Sequence, residues 1–201
     1  MNKIGILGGT FNPIHNGHIS LAIEAYKELC LDKVMFIPNG VSYMKSEISM
    51  PDKLIRYNMT KLGIEDYSEF IISDIEINRE GNSYTYETLL QLKDNNPDDI
   101  YYFIIGADTL FNMESWMKPD VIFENSIIAA AVRDDMDIDD INNKIFDLQK
   151  KYKASVIPLH APKIDISSSS LRKSILSGCD VSDLIPPKVY DYIKNNKLYY
   201  V

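Results

Sequence analysis

The sequence has little cysteine, no excess of positive charge and no long apolar run. Its two cysteines, Cys30 and Cys179, are too few for a disulfide framework or a zinc knuckle, so we expect small apolar thiols in a reducing compartment, the cytoplasm. The formal net charge of -8 argues against nucleic acid as a partner and requires any anionic ligand to bind in a local basic pocket. The opening segment IGILGG is far shorter than the roughly 18 residues of a membrane span and shows no cleavage-site pattern. We therefore expect neither a membrane partner nor a targeting segment.

What is present is a regular alternation of apolar runs and helix-period segments. The 201 residues, 45% of them hydrophobic, are enough for one sizeable core, and we expect a single domain over 1–201. Uninterrupted apolar strands that alternate with helices predict an α/β fold, a Rossmann-like, doubly wound parallel sheet with helices on both faces and a helical C-terminal portion over about 167–201. The predicted strands are 3–7, 34–38, 70–75, 101–106, 127–132 and 155–159.

Two helices are predicted from the spacing of their inner residues. The first contains Ile19, Ala22, Ile23 and Tyr26, and the second, behind Pro51, has a weaker pattern. The second pattern consists of Leu54, Tyr57, Asn58 and Lys61. The acidic run at 133–143 is interpreted as a solvated loop and the start of a helix.

The segment GGTFNPIHNGH (8–18) follows the first predicted strand, where a parallel sheet places its ligands. Gly8 and Gly9 let backbone N–H groups approach a phosphate, although the spacing matches neither the dinucleotide fingerprint nor the P-loop. His15 and His18 are expected to supply positive charge where a helix begins near Ile19, because a helix N-terminus also attracts anions. The sequence predicts an anion clamp at this loop.

Two other interpretations of the histidines stay open at this point. A His-x-x-His pair is sometimes a metal site, but only His160 remains elsewhere and no cysteine or acidic cluster completes a ligand set, so we assign no metal ligand. The pair can also be structural. Two of the three histidines beside a glycine loop and a helix start favour phosphate chemistry.

Five segments of the chain together resemble a known enzyme family. The segment 8–18 resembles the HxGH signature of a nucleotidyltransferase superfamily, and ISSSSLR (166–172) resembles its second signature, ISSTxIR. Three more, SYTYETL (83–89), FIIGADTL (103–110) and ESWMKPDVIF (114–123), are similar to segments of bacterial nicotinate-nucleotide adenylyltransferases. The resemblance implies transfer of the adenylyl group of ATP to nicotinate mononucleotide in NAD biosynthesis, giving deamido-NAD and pyrophosphate, with Mg²⁺ carried by ATP.

The resemblance also implies which residues bind ATP. His15, His18 and Arg172 are the expected catalytic residues, with Arg172 offering a forked cation to the departing pyrophosphate. Serines at a helix start can face phosphates, although a serine run is otherwise a linker or a plain cap. Asp108 follows an apolar strand, so its carboxylate is expected at a ribose, with a helix N-cap as the alternative. The other expected ATP-binding residues are Gly8, Gly9, Thr10, Phe11, Gly106, Ser167, Ser168 and Ser169.

The expected mononucleotide site uses residues from three further segments. Thr85 and Trp116 are similar to positions that hold the nicotinate ring, although a single tryptophan is otherwise more often a core residue. Lys45 and Arg133 are expected to add positive charge, and Asp108 contributes to this site too. The chain departs from the family at VSYMKS (41–46), where Met44 replaces a histidine.

Three functional hypotheses follow. The first is the nicotinate-nucleotide adenylyltransferase; the second is a sister enzyme, either a pantetheine-phosphate adenylyltransferase or a cytidylyltransferase. The third is a nucleotide-sensing module without catalysis, which the intact pair His15 and His18 argues against. No general base or nucleophilic residue is needed, because the attacking phosphate, with a second pKa of about 6, is largely deprotonated at neutral pH. A homo-oligomer is compatible with every hypothesis.

Overall fold

A computed structural model describes residues 1–42, 50–132, 137–160 and 166–200. Six strands form one parallel sheet in the order β4-β2-β1-β6-β7-β8, and β3 pairs with β5 in a separate two-stranded sheet. The strands are β1 (Lys3–Gly9), β2 (Lys33–Pro38), β3 (Val41–Ser42), β4 (Phe70–Ile72), β5 (Asn82–Ser83), β6 (Ile100–Gly106), β7 (Ile127–Val132) and β8 (Val156–His160).

The six predicted strands are confirmed, with shifted ends. The run predicted over 70–75 pairs only as far as Ile72, because Ser73 turns the chain and its Oγ accepts a hydrogen bond from the N–H of Ile75. The strand order reverses between β1 and β6, which lie side by side at the centre of the sheet. Crossovers on either side of such a reversal diverge and leave a crevice at the carboxyl ends of the strands.

Helices cover both faces of the sheet, which confirms the predicted fold class. Ile14, Ile19 and Met59 belong to one core cluster, and Leu89, Ile122 and Leu148 belong to the other. The helices are α1 (Asn16–Glu28), α2 (Lys53–Ile64), α3 (Thr85–Asn95), α4 (Ala107–Asn112), α5 (Pro119–Asn125), α6 (Ile138–Tyr152), α7 (Ser168–Leu176) and α8 (Pro187–Asn195). The buried residues of α7 and α8 join the first cluster, the same one that contains α1 and α2.

Two helix predictions need correction. Helix α1 begins at Asn16 with His15 as its N-cap, so His18 lies within the first turn instead of opening the helix. The inner face predicted for α2 is wrong, since Leu54 is 57% exposed. Three of the five residues that face the core have polar or small side chains, which hydrophobic periodicity does not count. These three are Arg56, Thr60 and Gly63, and the other two are the apolar Met59 and Ile64.

Three predictions about the surface have different outcomes. Both cysteines are exposed and unpaired, so the expectation that they pack as apolar groups is wrong; Cys30 lies in the turn after α1 with a φ of 49°.

Asp137 caps α6, and Asp139 and Asp140 lie in its first turn, which confirms the acidic helix start. Over the described ranges, no helix is both long and apolar enough to cross a bilayer.

Candidate active site

A cavity of about 410 Å³ opens at the carboxyl ends of β1 and β6, where the strand order reverses. The cavity is lined both by residues predicted to bind phosphate and by residues predicted to bind the pyridine ring. The predicted site residues that line it are Gly8, Gly9, Thr10, His18, Thr85, Gly106 and Trp116.

The histidine loop, residues 8–18, forms one wall of the cavity. Gly8 and Gly9 end β1, and the backbone then turns through Phe11, whose φ is 46°. The Phe11 ring is buried in the core, with its centroid 5.0 Å from that of His18. The side chain therefore supports His18 from the core side, and the expected contact of Phe11 with ATP stays a prediction.

The rings of His15 and His18 pack against each other with a tilt of 33°, and their centroids are 3.7 Å apart. The N–H of His15 donates a hydrogen bond to Nδ1 of His18 at 3.3 Å. Since Nδ1 accepts, the proton of a neutral His18 ring is on Nε2, where it can be donated to a ligand. His15 is only 5% exposed and lies behind His18, while His18 lines the cavity.

Burial makes both histidines neutral in the free protein. It lowers the pKa of His15 to about 4, and burial together with the neighbouring His15 holds the pKa of His18 well below its ordinary value. The expectation that this pair carries positive charge is therefore wrong for the free protein at neutral pH. The pair offers hydrogen-bond donors, and fixed positive charge comes from arginine.

The second signature lies against the first. Ser167 caps α7 by accepting a hydrogen bond from the N–H of Ser170, which confirms the predicted cap. The Ser168 hydroxyl donates to the carbonyl of Pro13 at 3.0 Å, and Arg172 Nη1 donates to the carbonyl of Asn12 at 2.9 Å. Arg172 Nη2 lies 3.4 Å from the hydroxyl of Ser169, which is exposed. The hydroxyls of Ser167 and Ser168 are thus engaged within the protein, while Arg172 and Ser169 lie together beside the histidine loop.

Comparison with known proteins places this geometry in a family. A family model described as cytidylyltransferase-like matches residues 6–174. The probable nicotinate-nucleotide adenylyltransferases of Lachnoclostridium phytofermentans and Clostridium tetani are each 41% identical to this chain over 199 residues, 99% of this chain and 100% of theirs. The chain belongs to the nicotinate-nucleotide adenylyltransferase family.

Solved structures agree on the fold. Plasmodium falciparum nicotinic acid mononucleotide adenylyltransferase complexed with NaAD is similar with a TM-score of 0.78 and 23% identity, covering 99% of this chain and 98% of that one. A putative nicotinate-nucleotide adenylyltransferase from Vibrio parahaemolyticus is similar with a TM-score of 0.69 and 25% identity, covering 99% of this chain and 96% of that one. The resemblance predicted from the five segments is confirmed.

The residues expected at the pyridine ring, Thr85 and Trp116, line the same cavity. Thr85 begins α3, whose N-cap Tyr84 makes no side-chain capping bond. Trp116 is half-buried and meets Phe103 edge to face, with centroids 6.1 Å apart. It therefore packs on the core and lines the cavity at the same time, so the two interpretations of this tryptophan are compatible.

Other predicted site residues have less direct placements. Gly106 lines the cavity as the N-cap of α4, and Asp108 is exposed in the first turn, so Asp108 is not the cap that the alternative required. Lys45, Arg133 and Met44 lie outside the described residues. Among the described residues, no cluster of three or more His, Cys, Asp or Glu side chains is placed to hold a metal ion.

Two charged residues of the site were missed by the sequence reasoning. Arg56 is 2% exposed and donates to the carbonyls of Thr10 and Gly40, each at 2.8 Å, which ties the histidine loop to α2. Glu76 lines the cavity and accepts a hydrogen bond from the Thr88 hydroxyl at 2.8 Å; burial raises the pKa of its carboxyl. The sequence does contain a signal for Arg56, because Arg56 begins an i, i+3, i+4, i+7 pattern with Met59, Thr60 and Gly63, all buried. The sequence contains no such signal for Glu76.

The turn at residues 113–118, which contains Trp116, is held by an ion-pair network with helix α6. Glu114 accepts from Lys144 at 2.6 Å and from Lys151 at 2.7 Å, and these lysines hold the pKa of Glu114 at about 2. On the far side of the turn, Lys118 Nζ lies 4.6 Å from the centre of the Tyr86 ring. Helix α6 therefore holds one end of the turn and α3 holds the other.

We expect Glu114→Gln to loosen this turn and make Trp116 more accessible. Because Trp116 is the only tryptophan, acrylamide quenching of its fluorescence reports on this turn directly. Quenching should increase, and KM for the mononucleotide should rise about 2- to 5-fold, since partly exposed ion pairs have modest strength. Glu124→Gln, which alters an exposed acid on α5, is the control and should change neither. Unchanged quenching in Glu114→Gln would show that the network does not hold the turn.

Proposed function

We propose that this protein transfers the adenylyl group of ATP to the phosphate of nicotinate mononucleotide, releasing pyrophosphate and giving deamido-NAD. The observation that carries the proposal is the single cavity in which His18, on the histidine loop, faces the same space as Thr85 and Trp116. The relatives' names give the same activity for those proteins. We also propose a cytoplasmic location, which the free thiols Cys30 and Cys179 support.

The chemistry requires positioning and charge stabilisation more than proton transfer. The mononucleotide phosphate, with a second pKa of about 6, is mostly dianionic at neutral pH and can attack the α-phosphorus of ATP without a base. The bond from the α-phosphorus to the bridging oxygen then breaks, and the electron pair leaves with pyrophosphate. His18 would donate Nε2–H to the α-phosphate as negative charge builds on its oxygens. A neutral, preorganised donor can do this without first gaining a proton.

The remaining roles follow from the placement of each group. Backbone N–H groups at Gly8 and Gly9 would receive the phosphates, and Arg172 and Ser169 would contact the pyrophosphate. Gly106 and Asp108 would meet a ribose. Mg²⁺ would arrive as part of the ATP substrate, held by phosphate oxygens and water. Lys45 and Arg133 keep their predicted roles as cations near the phosphates.

Arg172→Lys is expected to lower kcat/KM about 10-fold or more although the net charge is unchanged. The lysine has a single nitrogen and no rigid fork, so it cannot reach the Asn12 carbonyl and the pyrophosphate with two separate nitrogens, and a hydrogen bond to a charged group is worth about 1.5–3 kcal/mol. Lys173→Gln, at an exposed neighbour on the same helix, is the control and should retain activity. Unaltered kcat/KM in Arg172→Lys would show that the fork is not needed.

The test of the function is pyrophosphate release from ATP with a panel of acceptors. We expect turnover with nicotinate mononucleotide and little with phosphopantetheine, and none when CTP replaces ATP. Turnover with phosphopantetheine or CTP instead would identify a sister transferase. Binding of ATP without release of pyrophosphate for any acceptor would identify a sensing module.

A further inference from the structure

The C-terminal portion of the chain is hydrogen-bonded to the histidine loop at several points. Each bond connects a loop residue to a residue more than 150 positions later in the sequence, so the conformation of the loop depends on contacts with the C-terminal portion. The bonds run from Ser168 Oγ to the Pro13 carbonyl, from Arg172 Nη1 to the Asn12 carbonyl, from the Asn16 N–H to the Leu184 carbonyl, and from the Tyr199 hydroxyl to Asn12 Oδ1.

The bond from Tyr199 is the shortest of these contacts. Its hydroxyl lies 2.6 Å from Oδ1 of Asn12, and Asn12 is only 3% exposed. Burial raises the pKa of Tyr199, so the hydroxyl stays protonated and acts as the donor. Tyr199 also has a φ of 67°, in a region that a bulky residue adopts only when its surroundings hold it there. The chain end is thus bent to bring this hydroxyl to the loop.

Asn12 is connected to His18 through the adjacent residue Phe11. Phe11 precedes it in the chain, and the Phe11 ring packs against His18 at 5.0 Å. Arg172 holds the carbonyl of the same Asn12. A shift of Asn12 would therefore displace the ring behind His18 and the guanidinium beside it.

We propose that Tyr199 is a positioning residue for adenylyl transfer, which fixes Asn12 and, through the adjoining Phe11 ring, the position of His18. The inference rests on the proposed function and adds a residue that contacts neither nucleotide. Tyr199→Phe keeps the ring but leaves Asn12 Oδ1 buried without its donor, a costly state that the loop relieves by moving. Because small displacements of a catalytic group reduce rates strongly, we expect kcat to fall about 10-fold. KM for the mononucleotide should change little, since Tyr199 bonds to the histidine loop, whereas Thr85 and Trp116 come from the start of α3 and the turn before α5.

The decisive experiment is a double-mutant cycle with His18→Ala. If Tyr199 acts by positioning His18, Tyr199→Phe should lower kcat in the native background and change it less than 2-fold in the His18→Ala background. Equal losses in both backgrounds would overturn the inference. Tyr190→Phe is the matched control, because it removes a hydroxyl of the same portion that bonds to Asp180 instead of the loop, and it should leave kcat unchanged.

Two further measurements separate this inference from folding and from the proposed function. Asn12→Leu removes the same hydrogen bond from the other side at similar volume and should reproduce the loss of kcat. Amide hydrogen exchange over residues 10–18 should be faster in Tyr199→Phe than in Tyr190→Phe, whatever acceptor the enzyme uses. Absence of turnover in the native protein would refute the proposed function, whereas native turnover with unchanged exchange and kcat in Tyr199→Phe would refute the role of Tyr199.

Discussion

His18→Ala is expected to lower kcat about 10²-fold or more while weakening ATP binding only modestly. The Nε2–H of His18 meets the α-phosphate most strongly when charge builds on it, so its loss raises the barrier more than it weakens the ground state. The hydrogen bond from the His15 N–H to Nδ1 fixes the ring that makes this contact. The measurement is kcat at saturating substrates together with the Kd for ATP.

His160→Ala is the control for the loss of a histidine. The His160 side chain is 92% exposed and pairs with Glu28 on the surface, so this variant should keep its kcat. A folded His18→Ala protein with near-normal kcat would remove His18 from the chemistry. A loss confined to the Kd for ATP would make His18 a simple binding residue.

The second large effect is the choice between nicotinate mononucleotide and its amide. Trp116 can stack on either ring and does not discriminate between them. The first turn of α3 at Thr85, whose N-cap makes no side-chain capping bond, offers N–H donors and a positive dipole end. The Trp116 N–H donates to the Met113 carbonyl, so we expect the next N–H, that of Met117, to add a donor. A carboxylate satisfies them, whereas the amide brings its own NH₂ donor and leaves groups unpaired. A preference of about 10⁴-fold for the acid is within what such unpaired donors give.

The preference is measured as kcat/KM for both mononucleotides at saturating ATP and magnesium. Trp116→Phe is the control, because a phenyl ring still stacks on the pyridine ring. This variant should lower kcat/KM for both mononucleotides and leave the ratio of the two values unchanged. Equal values for acid and amide in the native enzyme would overturn the acid specificity and leave adenylyl transfer standing. The 44–46 segment, where Met44 replaces a family histidine, lies outside the described residues.

The sequence predicted what depends on local pattern. Apolar runs such as 127–132 found the strands, and two motifs with specific spacing found the family and most of the residues that line the cavity. Ser167 was found as a candidate cap because serine is favoured at helix N-caps and an apolar helical pattern follows it.

The sequence did not predict what depends on three-dimensional contacts. The inner face of α2 was missed because Arg56 is buried by bonding to backbone carbonyls of two separate loops, and a charged residue does not count in an apolar pattern even where its spacing is helical. The charge of the histidines was misjudged because their pKa values depend on burial and on the 3.7 Å separation of their rings. Tyr199 was missed because it lies 187 positions from Asn12.

The fate of each phosphate of ATP tests adenylyl transfer most directly. The enzyme would be incubated with nicotinate mononucleotide and magnesium, together with ATP labelled either at the α-phosphate or at the γ-phosphate. We expect the α-label in deamido-NAD and the γ-label in pyrophosphate, in equal amounts. Label from the γ-phosphate on the mononucleotide, or α-label that stays in ATP, ADP or AMP, would contradict it.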